Sequence, residues 1–332
     1  MRRLGKSNIE ISPIVLGTWA IGGWMWGGSD EKSAIEAIHA SIDHGVTTID
    51  TAPVYGMGLS EQIVGKAIKG KRDKVVIATK CGMRWDTEEG SEPWPNQDPK
   101  GNPIIIRKNL KPASIVHECE HSLKRLHVEA IDLYQIHWPD ESTPIEDAWN
   151  TMAKLKKQGK VRAIGVSNFN LKQLKTAHSL HPVDSIQPPY SLIRRGIEKD
   201  ILPFCRENTI GVIVYSPLER GLLTGKHKLH QTFPAGDHRA QKPTFAPEFL
   251  TQVLAARSVI KPIADQHKIT VSQLIIDCTI HRPGITAAIV GARNAAQAIE
   301  NARAATLKIP EKEREFVAAT LSSPSLKREL YD

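Results

Sequence analysis

Short β-branched runs alternate with amphipathic stretches along the chain. ISPIVLG, VTTIDTA, KVVIATK, AIDLYQIHW, VRAIGVSN, DSIQPPY, IGVIVYSP and AAIVGAR each read as a strand. Several are almost continuously apolar, as a strand buried on both faces must be. Between them apolar positions recur at helical spacing, as in Ile35, Ile38 and Ile42, in Ile115, Cys119, Ser122 and Leu126, and in Ile145, Trp149, Met152 and Leu155. Lys111-Pro112-Ala113-Ser114 has the chemistry of a helix start and Gly159 that of a helix stop. Strand and helix repeated eight times, joined by right-handed crossovers, predict an α/β fold, a (β/α)8 TIM barrel. No linker divides the chain, so residues 1–332 read as one domain.

Three stretches interrupt the repeat: residues 84–110, residues 219–246 and the tail from about Pro310. The first two follow strands, so they are expected as long loops at the C-terminal face of the barrel, roofing the pocket where such folds keep their chemistry.

Composition narrows the function. No apolar run approaches the 18 or so residues of a membrane span. The basic N-terminus lacks the apolar segment of a secretory signal, and a cytoplasmic protein is expected. Cys81, Cys119, Cys205 and Cys278 lie far apart without a CxxC pair, which points away from zinc and disulfides; Cys81, next to Lys80, is the one to watch. The net charge of +8 is spread along helices without a nucleic-acid motif, and suits an anionic cofactor better than DNA or RNA.

The polar residues that end the strands are Asp50, Lys80, His137, Ser167 with Asn168, Gln187, Tyr215 and Arg293. In a barrel they converge on one cavity. Lys80 and His137 close apolar runs, where an unpaired charge is costly, so their company with Asp50 points to a site. Tyr55 lies five residues beyond Asp50. A phenol, with a pKa near 10, needs a cation to act as an acid at neutral pH; an ammonium about 4 Å away contributes roughly 4 kcal/mol, or about three pKa units. Lys80 held by Asp50 would lower the Tyr55 pKa in this way, and His137 could orient a carbonyl oxygen.

Gly56-Met57-Gly58 looks like part of a phosphate-binding loop, but Glu61 occupies the third glycine position of a dinucleotide fingerprint. A carboxylate there repels a pyrophosphate. The segment therefore reads as catalytic.

LGTWAIGG, IDTAPVYGMGLSE, VVIATKCG, DLYQIHWPD, IGVSNF, VYSPLERGLLTGK and IVGARN together resemble the aldo-keto reductases nearly end to end. The resemblance implies an NADP-dependent enzyme that reduces small aldehydes and ketones, with Asp50, Tyr55, Lys80 and His137 as its tetrad. It implies cofactor contacts from Gly17, Thr18, Trp19 and Asp50, and from Ser167, Asn168 and Gln187 at a carboxamide. Tyr215 would stack on the nicotinamide. Ser216, Pro217, Leu218, Arg220, Gly221, Leu223 and Lys226 would fold over the pyrophosphate, and Gly291, Arg293, Gln297, Glu300 and Asn301 would hold the adenosine end. Arg293 favours NADPH over NADH.

Trp24, Trp26, Trp85, Trp94 and Trp138, with Tyr55 and His137, would form an aromatic substrate pocket suited to short α-oxo or hydroxy aldehydes. CTIHRPG, with His281 and Arg282, departs from the apolar approach expected before strand eight. The partner is a small carbonyl compound, with no nucleic acid, membrane or metal, and the protein is expected as a monomer or weak homo-oligomer. Two other readings compete: a Schiff-base lyase using Lys80, disfavoured by Asp50 beside it, and a cofactor-sensing regulatory subunit with slow turnover.

Overall fold

Each apolar run folds as a parallel strand because its alternate side chains have two surfaces to bury. The computed structural model describes residues 1–229, 231–234, 236–323 and 326. Its barrel strands are β1 (Ile14–Gly17), β2 (Thr48–Asp50), β3 (Val76–Cys81), β4 (Ile131–Ile136), β5 (Val161–Ser167), β6 (Ser185–Gln187), β7 (Gly211–Tyr215) and β8 (Ala287–Gly291). They pair in sequence order and close, β8 against β1. All eight predicted strands are present.

One side-chain set, including Val15, Ala78, Leu133, Ala163, Ile213 and Ala287, fills the barrel. The alternate set, including Leu16, Ile77, Tyr134, Val166 and Val214, packs outward under the helices. An antiparallel pair, Arg2–Arg3 with Glu10–Ile11, brings Leu4, Ile9 and Ile11 onto the interior cluster. With its lower interior filled by apolar side chains, the barrel leaves its polar strand ends for the opposite face.

The crossover helices are α1 (Glu31–Asp43), α2 (Leu59–Ala67), α3 (Pro112–Leu126), α4 (Ile145–Lys157), α5 (Leu171–Leu180) and α6 (Ile201–Asn208); between β7 and β8 come α7 (Pro247–Gln266) and α8 (Val271–Ile280), then α9 (Ala295–Arg303) and α10 (Glu311–Leu321). Asn170 and Thr270 start α5 and α8 with reciprocal capping boxes, a backbone N–H satisfied at each end of the pair. Pro112 opens α3, and Gly159, at φ 76°, follows α4.

The interruptions are more ordered than loops. Residues 84–110 contain most of a three-stranded antiparallel sheet, Met83–Arg84, Pro103–Lys108 and Ser91–Gln97. The run Ile104-Ile105-Ile106 explains this: it is β-branched, with Ile106 buried against Trp24 and Ile105 exposed. Segment 219–246 winds through short 3₁₀ turns, Glu219–Thr224, His238–Gln241 and Pro243–Phe245; its positions 230 and 235 lie outside the described residues. The tail forms α10, and positions 324, 325 and 327–332 lie outside the described residues. CTIHRPG is the C-terminal end of α8 and the turn that leads into β8, and its two polar residues are paired, His281 with Asp277 at 3.2 Å and Arg282 with Glu198 at 3.4 Å. Among the described residues no helix is long and apolar enough to cross a membrane.

Candidate active site

Asp50 and Lys80 come together because β2 and β3 are neighbours and both side chains point into the barrel. Lys80 is fully buried, and its Nζ donates to Asp50 Oδ1 at 2.6 Å and to the Thr51 carbonyl at 2.9 Å. The third direction of the ammonium meets Tyr55 Oη at 3.4 Å. Gln187 Nε2 donates to the other Asp50 oxygen at 2.8 Å. Asp50 therefore links the acidic half of the mouth to the β6 end.

The turn that presents Tyr55 explains the glycines. Gly58 N–H donates to the Pro53 carbonyl at 2.7 Å, and Ser60 N–H to the Tyr55 carbonyl at 3.1 Å. Gly56 has φ 68°, and a side chain there would collide with the Gly22 carbonyl oxygen, so the loops carrying Gly22 and Tyr55 touch backbone to backbone. Glu61 is fully buried, receiving Arg125 Nε at 2.6 Å and Thr79 Oγ1 at 2.7 Å. It ties α2 to α3.

The predicted depression of the Tyr55 pKa is corrected. Burial pushes the phenol well above its usual 10, and the Asp50 carboxylate pushes it further. Lys80 does not act as a free cation because Asp50 is closer to it than Tyr55 is. Burial lowers the Lys80 pKa, against the opposing pull of Asp50. His137 is driven well below 6.5, first by burial and then by Lys80, so its ring is neutral at pH 7. Its ring stands 5.7 Å from that of Tyr55, edge to face.

Ser167, Asn168, Gln187 and Tyr215 form one connected group. Asn168 Nδ2 donates to the His137 carbonyl at 2.9 Å and to Ser167 Oγ at 3.1 Å, while Tyr215 Oη donates to Asn168 Oδ1 at 2.8 Å. Ser167 Oγ donates to the Gln187 carbonyl at 2.8 Å. Amide and hydroxyl groups are thus fixed beside an aromatic ring.

A cleft of about 640 Å³ runs from these residues past Ser216, Pro217, Leu218, Arg220, Gly221 and Lys226 to Gly291, Arg293, Gln297, Glu300 and Asn301. At the far end Arg293 Nη2 donates to the Gly28 carbonyl at 2.7 Å, and Arg293 N–H to Gln297 Oε1 at 2.9 Å. Asn301 Nδ2 donates to the Gly291 carbonyl at 3.1 Å. Lys226 approaches Glu300 at 3.6 Å, joining the segment after β7 to α9. Amides and a ring at one end, cations along the middle and an arginine at the other fit the successive parts of a nicotinamide dinucleotide.

Some assignments move. Leu223 is fully buried in the cluster with Leu222, Val253 and Leu274, so it does not face the cleft; Thr224 does. Trp85 packs behind the aromatic wall and does not line it. Trp19, expected at the cofactor, stacks on Tyr55 at 6.2 Å and contacts Trp24 and Trp26, so the lining tryptophans are Trp19, Trp24, Trp26, Trp94 and Trp138. Cys81 is buried beside Met152 with its thiol pKa pushed well up by burial, which removes it as a reactive group.

His238 and Arg239 line the cleft too, and sequence reasoning missed them. His238 N–H donates to the Met25 carbonyl at 3.2 Å, and the Arg239 guanidinium lies 4.9 Å over the Trp26 ring while pairing with Asp237 at 2.6 Å. The only sequence signal was their place in a long segment after a strand.

The Aldo/keto reductase family model matches residues 13–320. The chain belongs to the aldo/keto reductase family. It is similar to the aldo-keto reductase YhdN of Bacillus subtilis (strain 168), 44% identical over 297 residues, which cover 89% of this chain and 85% of the relative. It is also 36% identical over 314 residues to the NADH-specific methylglyoxal reductase of Escherichia coli (strain K12), covering 93% and 94%. Among solved structures it resembles the glycerol dehydrogenase AKR11B4 from Gluconobacter oxydans, with a TM-score of 0.85, 38% identity and 96% and 94% of the two chains covered. As a family member this chain is an oxidoreductase that takes a nicotinamide cofactor and acts on small carbonyl compounds.

Proposed function

We propose that this aldo/keto reductase uses NADPH to reduce small aldehydes and ketones, with Tyr55 as the general acid. The carrying observation is the Lys80 ammonium, which contacts Asp50 at 2.6 Å and Tyr55 Oη at 3.4 Å behind a pocket lined by Asp50, Tyr55 and His137. When bound, the reduced nicotinamide supplies the hydride. Tyr55 is protonated at neutral pH and gives its proton to the carbonyl oxygen as negative charge develops there. Lys80 stabilises the phenolate left behind, and Asp50 holds Lys80 charged and in place. Neutral His137 orients the carbonyl by donating an N–H to its oxygen. Ser167, Asn168 and Gln187 would hold the carboxamide and Tyr215 would stack on the nicotinamide ring, which would supply the hydride from the side facing the substrate.

Arg293 and Lys226 support the phosphorylated cofactor, because both reach the far half of the cleft. The E. coli relative is named as NADH-specific, so the cofactor is the finer part of this reading. A Schiff-base role for Lys80 is disfavoured: its amine is fully buried, charged against Asp50 and engaged by Thr51. The test is NADPH and NADH oxidation against a carbonyl panel, with Tyr55→Phe as control. Turnover should fall by at least a thousandfold in the variant while cofactor affinity, read by fluorescence quenching, is kept. Full activity in Tyr55→Phe refutes the assignment, as does a loss of cofactor binding equal to the loss of rate.

A further inference from the structure

The core-facing stripe of α7 runs through Phe249, Leu250, Val253, Ile260 and Ala264, all buried, and at helical spacing position 257 belongs to it. An arginine stands there. A half-buried guanidinium in an apolar stripe is costly unless its donors are used, and no carboxylate among the described residues pairs with this one; burial lowers its pKa unopposed. Its donors go to the segment after β7. Nε donates to the Leu223 carbonyl and Nη2 to the Thr224 carbonyl, each at 3.0 Å.

Those two carbonyls end the 3₁₀ turn Glu219–Thr224, and the last carbonyls of a helical turn need donors from outside it. Gly225 follows at φ 76°, and a Cβ there would fall inside the Arg257 guanidinium, so the group lies against bare backbone. Thr224 Oγ1 donates to the Gly221 carbonyl at 2.6 Å and accepts the Lys226 N–H at 3.3 Å, which carries the same constraint on to Lys226. Leu222 and Leu223 sink into the cluster with Val253, while Gly221, Thr224 and Lys226 line the cleft. Arg257 stands behind this strap and does not line the cleft itself. With Arg220 at φ 55° and Gly221 at φ 93°, the winding is irregular and has to be held from outside.

Resting on the nicotinamide-cofactor reading of this cleft, we propose that Arg257 is a positioning residue for the cofactor. By holding the Leu223 and Thr224 carbonyls from behind, it keeps residues 219–226 in the shape that meets the pyrophosphate, and so sets how long the cofactor stays bound. Without it the two carbonyls lose their donors and the strap has to be ordered at each binding event, a cost taken from affinity. The residue acts on the strap and leaves the reacting atoms alone, so its effect belongs to cofactor binding and release.

The test measures NADPH binding by wild type, Arg257→Met and Arg257→Lys, with Kd read from cofactor fluorescence and the release rate from stopped flow. Arg257→Met returns an apolar side chain of similar length to the stripe, so its Tm should stay within about 3 °C of wild type. Its Kd for NADPH should rise about tenfold or more, chiefly through faster release, while the carbonyl KM at saturating cofactor stays within about twofold. Arg257→Lys, which reaches at most one of the two carbonyls, should fall between them, and it keeps the test decisive if methionine is not tolerated. Adenosine 2′-phosphate, which has no pyrophosphate, should bind wild type and variant alike by calorimetry. NADPH affinity and release unchanged in the variants overturn the proposal. Equal losses of NADPH and adenosine 2′-phosphate binding overturn it in favour of a general loosening of the barrel, as does a carbonyl KM that rises as much as the cofactor Kd. A wild type that binds neither NADPH nor NADH sinks the cofactor reading, and the proposal with it.

Discussion

Replacing Asp50 by Asn removes one charge and almost no volume from the centre of the site, and its cost can be bounded from the protonation of Lys80. The ammonium has no exposure to water, and without the Asp50 carboxylate its remaining partners are the Thr51 carbonyl at 2.9 Å and Tyr55 Oη at 3.4 Å. Keeping the charge would cost several kcal/mol. The alternative is to lose the proton. For a lysine with an unfolded pKa near 10.4, that costs about 1.4 kcal/mol for each pH unit below 10.4, roughly 6 kcal/mol at pH 6 and roughly 3 at pH 8.5. The second route caps the penalty.

The sign follows from proton counting. In the variant the unfolded chain binds a proton that the folded chain has released, so stability rises with pH up to about 10.4. The thermal-shift gap between wild type and Asp50→Asn should therefore be about 10 °C at pH 6 and about half that at pH 8.5, taking roughly 2 °C per kcal/mol for a chain of this size. The amide introduced by Asp50→Asn also presents an N–H₂ where the carboxylate accepted from both Lys80 and Gln187, so one donor loses its acceptor. Combining Asp50→Asn with Lys80→Met should cost less than the sum of the single changes, because neither charge is then stranded. A gap that stays constant or widens from pH 6 to pH 8.5 would refute the idea that Asp50 holds Lys80 charged.

Other outcomes follow from the same site and its surroundings. Because burial raises the Tyr55 pKa, its proton is retained across the working range; reduction should change little from pH 6 to 8, while alcohol oxidation, which needs the phenolate, should rise by about tenfold per pH unit over pH 7–9. Oxidation that is fastest at neutral pH would contradict that assignment. Glu118 is buried with its carboxyl pushed up to about 8, accepting from Gly82 N–H at 2.9 Å and leaving Oε2 without a partner among the described residues. The folded chain keeps a proton that the unfolded chain releases, so stability is lost as pH rises from about 4.5 to 8; Glu118→Gln should gain roughly 3 kcal/mol on wild type at pH 7, and less at pH 5, in urea titrations. An equal difference at both pH values would show that Glu118 does not titrate late. Arg293→Ala should raise the KM for NADPH by at least tenfold and leave that for NADH within twofold, and equal effects on both cofactors would remove Arg293 from the 2′-phosphate.

The barrel and its polar mouth were legible because two periodicities agree. A period of two along Ala78 and Lys80, or Leu133 and Gln135, puts the polar residue one layer above an apolar one. Closure of eight such strands brings their ends together whatever their separation in sequence. Caps and 3.6-residue spacing added the helices without tertiary information. The same logic fails where parity is lost. Arg220 at φ 55° and Gly221 at φ 93° break the regular winding of segment 219–224, so counting residues could not tell that Leu223 turns into the core and Thr224 into the cleft. The exchange of Trp85 for Trp19 has a similar cause. Which ring reaches the cleft depends on how the sheet at 83–108 folds back over Trp24.

Glycine spacing raised the opposite kind of difficulty, a local pattern with two global meanings. A glycine pair after a strand can open a backbone nest for phosphate or let two loops touch, and both need the same positive φ. The distinction lies in what surrounds the pair. Here Gly56 faces Gly22, Gly58 faces Arg125, and the carboxylate of Glu61 is engaged by Arg125 and Thr79, so the backbone N–H groups and positive charge that a phosphate requires are directed elsewhere. Glu61 was the informative residue, because a buried anion must have a partner and that partner, Arg125, sits on the neighbouring α3. The turn is then free to do one thing, which is to hold Tyr55 against Lys80.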